Sequence, residues 1–181
     1  MPPDRGASSD GPTTDDELLA IVDNNDKVIG RATRREVHAG GLLHRAVHII
    51  VLNGRGEIFV QQRATSKDNS PGLWDTAAAG HVDFGEDYDA CARRELEEEL
   101  GLRDVPIQRV GYIRACLATE QEFVQLYRTT TDQVLQLNPE EIQDGRWCAL
   151  PVLEGWMSDQ PASFTAAFHL IFERYHASFQ R

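Results

Sequence analysis

The first apolar pattern along the chain is a pair of short runs, Glu17 to Val22 and Lys27 to Arg31, around the polar Asp23-Asn24-Asn25-Asp26. Two runs of that length about a turn-forming tetrapeptide predict a hairpin. Thr33-Arg34-Arg35-Glu36 has the spacing of a capping box and should open a short helix ending near Gly40-Gly41. His44 to Leu52 is strongly β-prone, Asn53-Gly54 reads as a turn, and Glu57 to Arg63 reads as a second strand; these two should form the sheet centre. Ala64 to Gly72 is a loop punctuated by Pro71-Gly72, and Leu73 to Ala79 continues in small residues suited to close backbone approach. Ile107 to Thr119 and Glu122 to Thr130 are strand-like. Asn138-Pro139-Glu140-Glu141 reads as a loop or helix start before a strand at Gly145–Leu150. Pro161 to Ala177 has a helical period, with Phe164, Phe168, Ile171 and Tyr175 as its core-facing stripe.

Between these strands lies GHVDFGEDYDACARRELEEELGL, Gly80 to Leu102. Its second half carries every local helix signal. Asp87 can cap it, Asp89 puts acid in the first turn, Ala90 to Leu100 lacks Gly, Pro and β-branched residues, and Gly101 supplies the stop. Tyr88, Ala92, Leu96 and Leu100 form an apolar stripe that can bury. Beside it Glu95, Glu98 and Glu99 fall at i, i+3 and i+4, within an arc of ~100°. Like charges at these spacings destabilise a helix. Arg94 can pair with Glu98, but one arginine does not neutralise the cluster. A hard divalent cation is the simplest compensator, because Mg²⁺ takes oxygen ligands, keeps several waters and bridges carboxylates to phosphate oxygens. A bare acidic run would more often be a solvated face. The full spacing, from Gly80 and Glu86 through Arg94-Glu95-Leu96 and Glu98-Glu99 to Gly101-Leu102, arises by chance in roughly one such chain in 10⁷ and favours the cation.

At 181 residues and 41% hydrophobic, the chain has room for one domain with a core. Met1 to Asp16 has almost nothing to bury, so a disordered tail is expected ahead of a single domain over residues 17–181. A net charge of −11 argues against a nucleic-acid polymer or an anionic membrane as partner. The same acidity repels a polyphosphate, so bound metal and local Arg and Lys would have to invert the field at a site. Cys91, Cys116 and Cys148 have no metal-binding spacing and read as reduced thiols. No spanning helix and no signal peptide is legible, and a cytoplasmic location is expected.

Gly80–Leu102 resembles the Nudix box without a departure. The resemblance implies an α/β fold, a Nudix-type α/β/α sandwich with a mixed sheet, here preceded by the N-terminal hairpin. It also implies a hydrolase of nucleoside diphosphates linked to another moiety, working with Mg²⁺ or Mn²⁺. Carried over by position, Glu95, Glu98 and Glu99 would be metal ligands and Glu95 also a candidate base. The Gly80 carbonyl would join the metal shell, Arg94 would orient the glutamates, and Glu86 would be structural or stand just outside the metal's own ligands.

The stretch from His44 to Glu86 is similar to the branch that includes type 1 isopentenyl-diphosphate isomerase, and more so to bacterial hydrolases on that scaffold. Those isomerases hold a metal through three His and two Glu. His38, His44, His81, Glu120 and Glu122 fall at matching places, with the His38–His44 gap one residue shorter, and form a possible second metal site. Glu120 and Glu122 also stand where Nudix hydrolases often keep a loop carboxylate as general base. Arg63 and Lys67 align with basic residues that hold diphosphate, Arg34 is a further candidate, and the Gln61-Gln62 amides could read a base or sugar edge. The isomerases' catalytic cysteine corresponds to Ala79, and their closing-helix tryptophan to Ala167. The resemblance therefore implies a pyrophosphohydrolase with a small diphosphate substrate. The alternatives are an isomerase using another acid and a non-catalytic nucleotide-binding Nudix module.

Overall fold

In the computed structural model, residues 16–180 are described, so the expected tail lies outside them except for Asp16. β1 (Leu18–Val22) and β2 (Val28–Thr33) pair antiparallel as a separate hairpin. Asp23 holds its turn, the carboxylate accepting from the backbone N–H of Asn25 and Lys27. The turn is docked by Asp26, at φ 60°, which accepts from Arg45 Nε at 2.6 Å, Tyr88 OH at 2.9 Å and Tyr112 OH at 3.0 Å. Thr33 and Glu36 make the expected capping box of α1 (Arg34–Gly40), which ends on left-handed Gly41.

β3 (His44–Leu52) is central to the main sheet and runs parallel to β8 (Glu122–Thr130) along its whole length. Its other edge forks. β4 (Ile58–Arg63) pairs with β3 only at Val51 and Leu52. Beyond that point β4 carries β9 (Ile142–Cys148) and the short β5 (Trp74–Asp75), while β6 (Ala78–His81) takes over beside Ala46–Ile49. The segment from Trp74 to His81 thus crosses the fork. β7 (Gln108–Ile113) lies beyond β8.

Strand alternation divides the core into two layers. Ala46, Ile50 and Leu52 face α3 (Leu150–Asp159) and α4 (Ala166–Tyr175) through Leu153, Met157, Phe168 and Ile171. Val47, Ile49 and Val51 face α2 (Tyr88–Leu100) through Ala92, Leu96 and Leu100. Helices on both faces of a mixed sheet make the α/β/α sandwich that the resemblance implies. α2 has the expected caps, Asp87 accepting from Ala90 N–H and Gly101 turning left-handed.

Several expectations need correction. β7 stops at Ile113, because the chain turns through Leu117–Thr119 and then holds Glu120 and Gln121 at φ 52° and 68°. The strand expected at Gly145–Leu150 runs instead from Ile142 to Cys148, since Leu150-Pro151 opens α3, a helix the apolar pattern did not reveal. The closing helix is interrupted. Phe164 makes a bridge to Trp74, and the Thr165 hydroxyl accepts from Phe168 N–H to restart the chain as α4. Phe164, Phe168 and Ile171 are buried as expected. Tyr175 is half-buried, and its hydroxyl accepts from Tyr112 N–H and donates to the Tyr112 carbonyl.

Candidate active site

The fork opens into a cavity of about 700 Å³, within the range of small-molecule sites. Glu95, Glu98 and Glu99 all line it. Glu95 and Glu99 are only 7% and 4% exposed, whereas Glu98 is open at the rim. Arg94 does not line the cavity but braces its floor. The guanidinium donates to Glu86 at 3.0 and 2.9 Å, to Glu95 Oε1 at 2.6 Å, to Glu98 Oε2 at 3.1 Å and to the His81 carbonyl at 3.0 Å. Gln61 Nε2 donates to Glu99 Oε2 at 2.9 Å. Burial above all pushes Glu95 up to about 8, with Glu98 adding to it and Arg94 opposing. Burial, then Glu95 and Glu141, hold Glu99 well above the ordinary carboxylate range. These carboxylates are short of positive charge.

Gly80 shows how tightly this wall is built. A Cβ there would meet Glu95 Oε1 at 2.0 Å, so only glycine lets the carboxylate lie against the β6 backbone. Buried carboxylate oxygens without enough cationic partners fit a hard divalent ion such as Mg²⁺ or Mn²⁺.

Three basic side chains line the same cavity. Arg34, Arg63 and Lys67 reach the cavity from α1, the end of β4 and the loop after it. Arg63 donates to the Asn69 carbonyl at 3.2 and 3.1 Å, and Lys67 donates to Glu141. The amides proposed to read a base or sugar edge are already engaged, Gln61 on Glu99 and Gln62 on the Gly72 carbonyl, and that expectation is withdrawn.

His38, His44 and His81 come together, with ring centroids 5.1–5.4 Å apart and one ring nitrogen of each within 4.8 Å of the others. His81 and Glu122 line the cavity, while His38 and His44 stand behind. Glu122 Oε1 is 3.0 Å from His81 Nε2. It is 3.5 Å from His44 Nε2, near enough for charge to act but too poorly aligned to satisfy that nitrogen. His38 Nε2 is likewise buried without a hydrogen-bond partner. Orphaned imidazole nitrogens beside a carboxylate fit a divalent metal. Burial, then the charge of the other two rings, lowers His38 to about 4, which favours the neutral, ligating form. Burial opposes ionisation of Glu122, yet His44 and His81 outweigh it and hold that carboxyl far below its usual range. Glu120 accepts from Asn69 Nδ2 at 2.6 Å, and burial followed by Glu122 raises its carboxyl.

Other residues line the cavity that were not singled out from the chain: Glu17 from the hairpin, His48 from β3, Asp75 from β5, and Glu141. His48 alone had a legible signal, since the two-residue strand period puts it on the face of His44. Glu17 stands just before β1 and Glu141 in the turn before β9, and only the fold carries them to the cavity.

Residues 42–168 match the family model of the NUDIX domain. An isopentenyl-diphosphate Delta-isomerase of Burkholderia multivorans is 34% identical over 165 residues, covering 88% of this chain and 93% of the relative. An uncharacterized Nudix hydrolase of Pseudomonas aeruginosa is 39% identical over 134 residues, 74% of this chain and 79% of the relative. Among solved structures, a Deinococcus radiodurans protein superposes with a TM-score of 0.75 at 24% identity, covering 91% of this chain and all 100% of that one. The MutT protein of Methanosarcina mazei follows at 0.62 and 20%, covering 75% of this chain and 94% of that one; both are likenesses of fold. The relatives divide between isomerases and hydrolases, two groups that generally use a divalent metal. Among the described residues, no helix is long and apolar enough to cross a membrane. With a family match over most of its length, on a forked sheet whose helix carries the glutamates into the cavity, this chain belongs to the Nudix family.

Proposed function

We propose that the chain is a metal-dependent hydrolase of a diphosphate linkage in a nucleoside di- or triphosphate or a derivative, with water attacking phosphorus. One observation carries this reading: Glu95, Glu98 and Glu99 share a cavity with Arg34, Arg63 and Lys67, and Ala79 and Ala167 line the same cavity. Where the isomerases that this branch resembles carry a cysteine and a tryptophan, these two alanines offer neither a proton nor a π face. A divalent cation held by Glu95, Glu98 and Glu99 would neutralise the diphosphate and polarise the phosphorus under attack.

The protein's own groups do the rest. Arg94 fixes Glu95 and Glu98 through one guanidinium nitrogen, which sets the angle they present to the cavity. Arg63 and Lys67 take the phosphate oxygens, Lys67 exchanging Glu141 for substrate. Glu95 and Glu120 are candidates to take the proton from the attacking water, whereas Glu122 is engaged by His81. A general base needs both reach and a suitable pKa, and both groups line the cavity. His38, His44, His81 and Glu122, with Glu120 beside them, would hold a second metal.

That imidazole cluster is also the observation favouring the other reading, an isomerase. The two separate in one experiment. The protein is incubated with Mg²⁺ or Mn²⁺ and either a panel of nucleoside diphosphate derivatives or isopentenyl diphosphate. Hydrolysis predicts phosphate release from members of the panel and no dimethylallyl isomer. Glu98→Gln and Glu99→Gln should each lower turnover by about 10²-fold or more while the protein stays folded. Unchanged turnover in both, or formation of the isomer, would overturn the proposal.

A further inference from the structure

The part of the cavity around His48 has its own chemistry. Ala46 and His48 lie on one face of β3, and Ala79 of β6 is the cross-strand partner of His48, so all of them face the same way. Gly80, one residue on, presents the opposite face, and it is there that Glu95 abuts. Ala166 and Ala167 at the start of α4 close this end. Small side chains thus leave room beside the His48 imidazole, itself only 4% exposed and on the same face as His44 and His81.

That imidazole is held by one nitrogen. Nδ1 of His48 is 2.8 Å from the Thr76 hydroxyl and 3.5 Å from Asp75 Oδ1, a carboxylate itself buried. The Thr76 hydroxyl also lies 3.4 Å from the Ala78 carbonyl, to which it can give its own proton. A carboxylate beside Nδ1 favours the tautomer with the proton there, so Nε2 keeps its lone pair. His48 lines the cavity, and Nε2 is the ring nitrogen free to meet what enters. Nothing in the diphosphate chemistry requires an acceptor at this place.

We propose that His48 is a specificity-determining residue: its Nε2 accepts a hydrogen bond from an O–H or N–H on the part of the substrate beyond the diphosphate. This rests on the hydrolase reading above and narrows its substrate class. The cavity takes a diphosphate whose other moiety carries donors, as a nucleoside does, and disfavours a plain hydrocarbon chain. Burying an acceptor against hydrocarbon with no donor costs roughly ten- to a hundredfold in affinity. Thr76 and Asp75 are positioning residues, acting through His48.

The test uses wild type, His48→Leu, His48→Gln and Thr76→Val. The glutamine amide oxygen can stand near the place of Nε2, and valine removes the hydroxyl that pins Nδ1. Turnover with Mg²⁺ is measured on ADP, CDP and isopentenyl diphosphate, and binding of the same compounds is measured by calorimetry with Ca²⁺. In wild type at least one nucleotide should bind about tenfold or more tightly than isopentenyl diphosphate. His48→Leu should raise KM for that nucleotide by about tenfold with kcat changed by less than about threefold, and should narrow or reverse the binding preference. His48→Gln should restore most of the affinity. Wild-type KM and preference in His48→Leu would overturn the proposal. Should that variant fail to fold, wild-type KM in Thr76→Val would overturn it equally. Absence of hydrolysis by wild type would count against the hydrolase reading alone, because the Ca²⁺ titrations still read the preference. Equal binding of nucleotide and hydrocarbon diphosphates by wild type would sink the role of His48.

Discussion

Replacing Gly80 by alanine adds one methyl group at the point where helix and strand meet over the acidic wall. The backbone there is not left-handed, so alanine is conformationally permitted and the effect is purely one of space. The new Cβ would stand 2.0 Å from Glu95 Oε1, 2.1 Å from Cδ and 2.7 Å from Oε2. Glu95 must therefore retreat by about 1 Å or more to reach van der Waals separation. Leaving its rotamer costs about 0.5–1.5 kcal/mol, and weakening the Arg94 contact brings the total to about 1–3 kcal/mol. For a chain of this size that lowers Tm by about 3–10 °C, so the variant should fold. Displacing a reacting group by about 1 Å costs about 10²-fold in rate. Gly80→Ala should accordingly melt somewhat early, bind Mn²⁺ more weakly by electron paramagnetic resonance, and lose about 10²-fold in kcat on whichever nucleotide the wild type hydrolyses. A folded Gly80→Ala protein with wild-type Mn²⁺ affinity and turnover would refute the assignment of Glu95 to the site.

Two further outcomes follow from the charge arrangement. Folding raises Glu95 to about 8 and Glu17 to about 7 from 4.5, burial being the main cause in both, and raises Glu99 in the same direction. A raised carboxyl contributes stability that is complete below its unfolded value and is lost as pH rises through its folded value. The metal-free protein should therefore melt lower at about pH 8.5 than at about pH 6.5, and Mg²⁺ should reduce the difference; a flat or inverted profile without metal would contradict this. Below that window His38, lowered to about 4, acts in the opposite sense. At the hairpin, Asp26→Ala removes three side-chain donors' acceptor and should cost about 2–4 kcal/mol in urea unfolding. Asp26→Asn tolerates the positive φ and keeps one acceptor oxygen, so it should cost about half as much, whereas no loss in Asp26→Asn would mean that tolerance of the left-handed backbone, not the carboxylate, is what Asp26 supplies.

Local rules carried much of the fold. The caps at Asp87 and Gly101, the capping box at Thr33 and Glu36, and the long apolar run of β3 were legible because neighbours within a few residues satisfy or break them. The three glutamates of α2 were legible as a cluster for the same reason, since helical spacing alone puts them on one face. Elements whose state depends on remote partners were not legible. The closing helix breaks at Phe164 because Trp74, far away in the chain, pairs with it, and β9 begins at Ile142 because β4 offers it an edge.

The chain alone determined that there would be an acidic helix face, where it would begin and end, and which family pattern it matched. Only the tertiary structure decided what that face meets. The forked edge of β3 sets Gly80 against Glu95, gathers His38, His44 and His81 from three elements, and lays His48 across from Ala79. Such placements follow from strand register and long-range packing, which depend on every layer of the sandwich at once, and no stretch of sequence encodes them by itself.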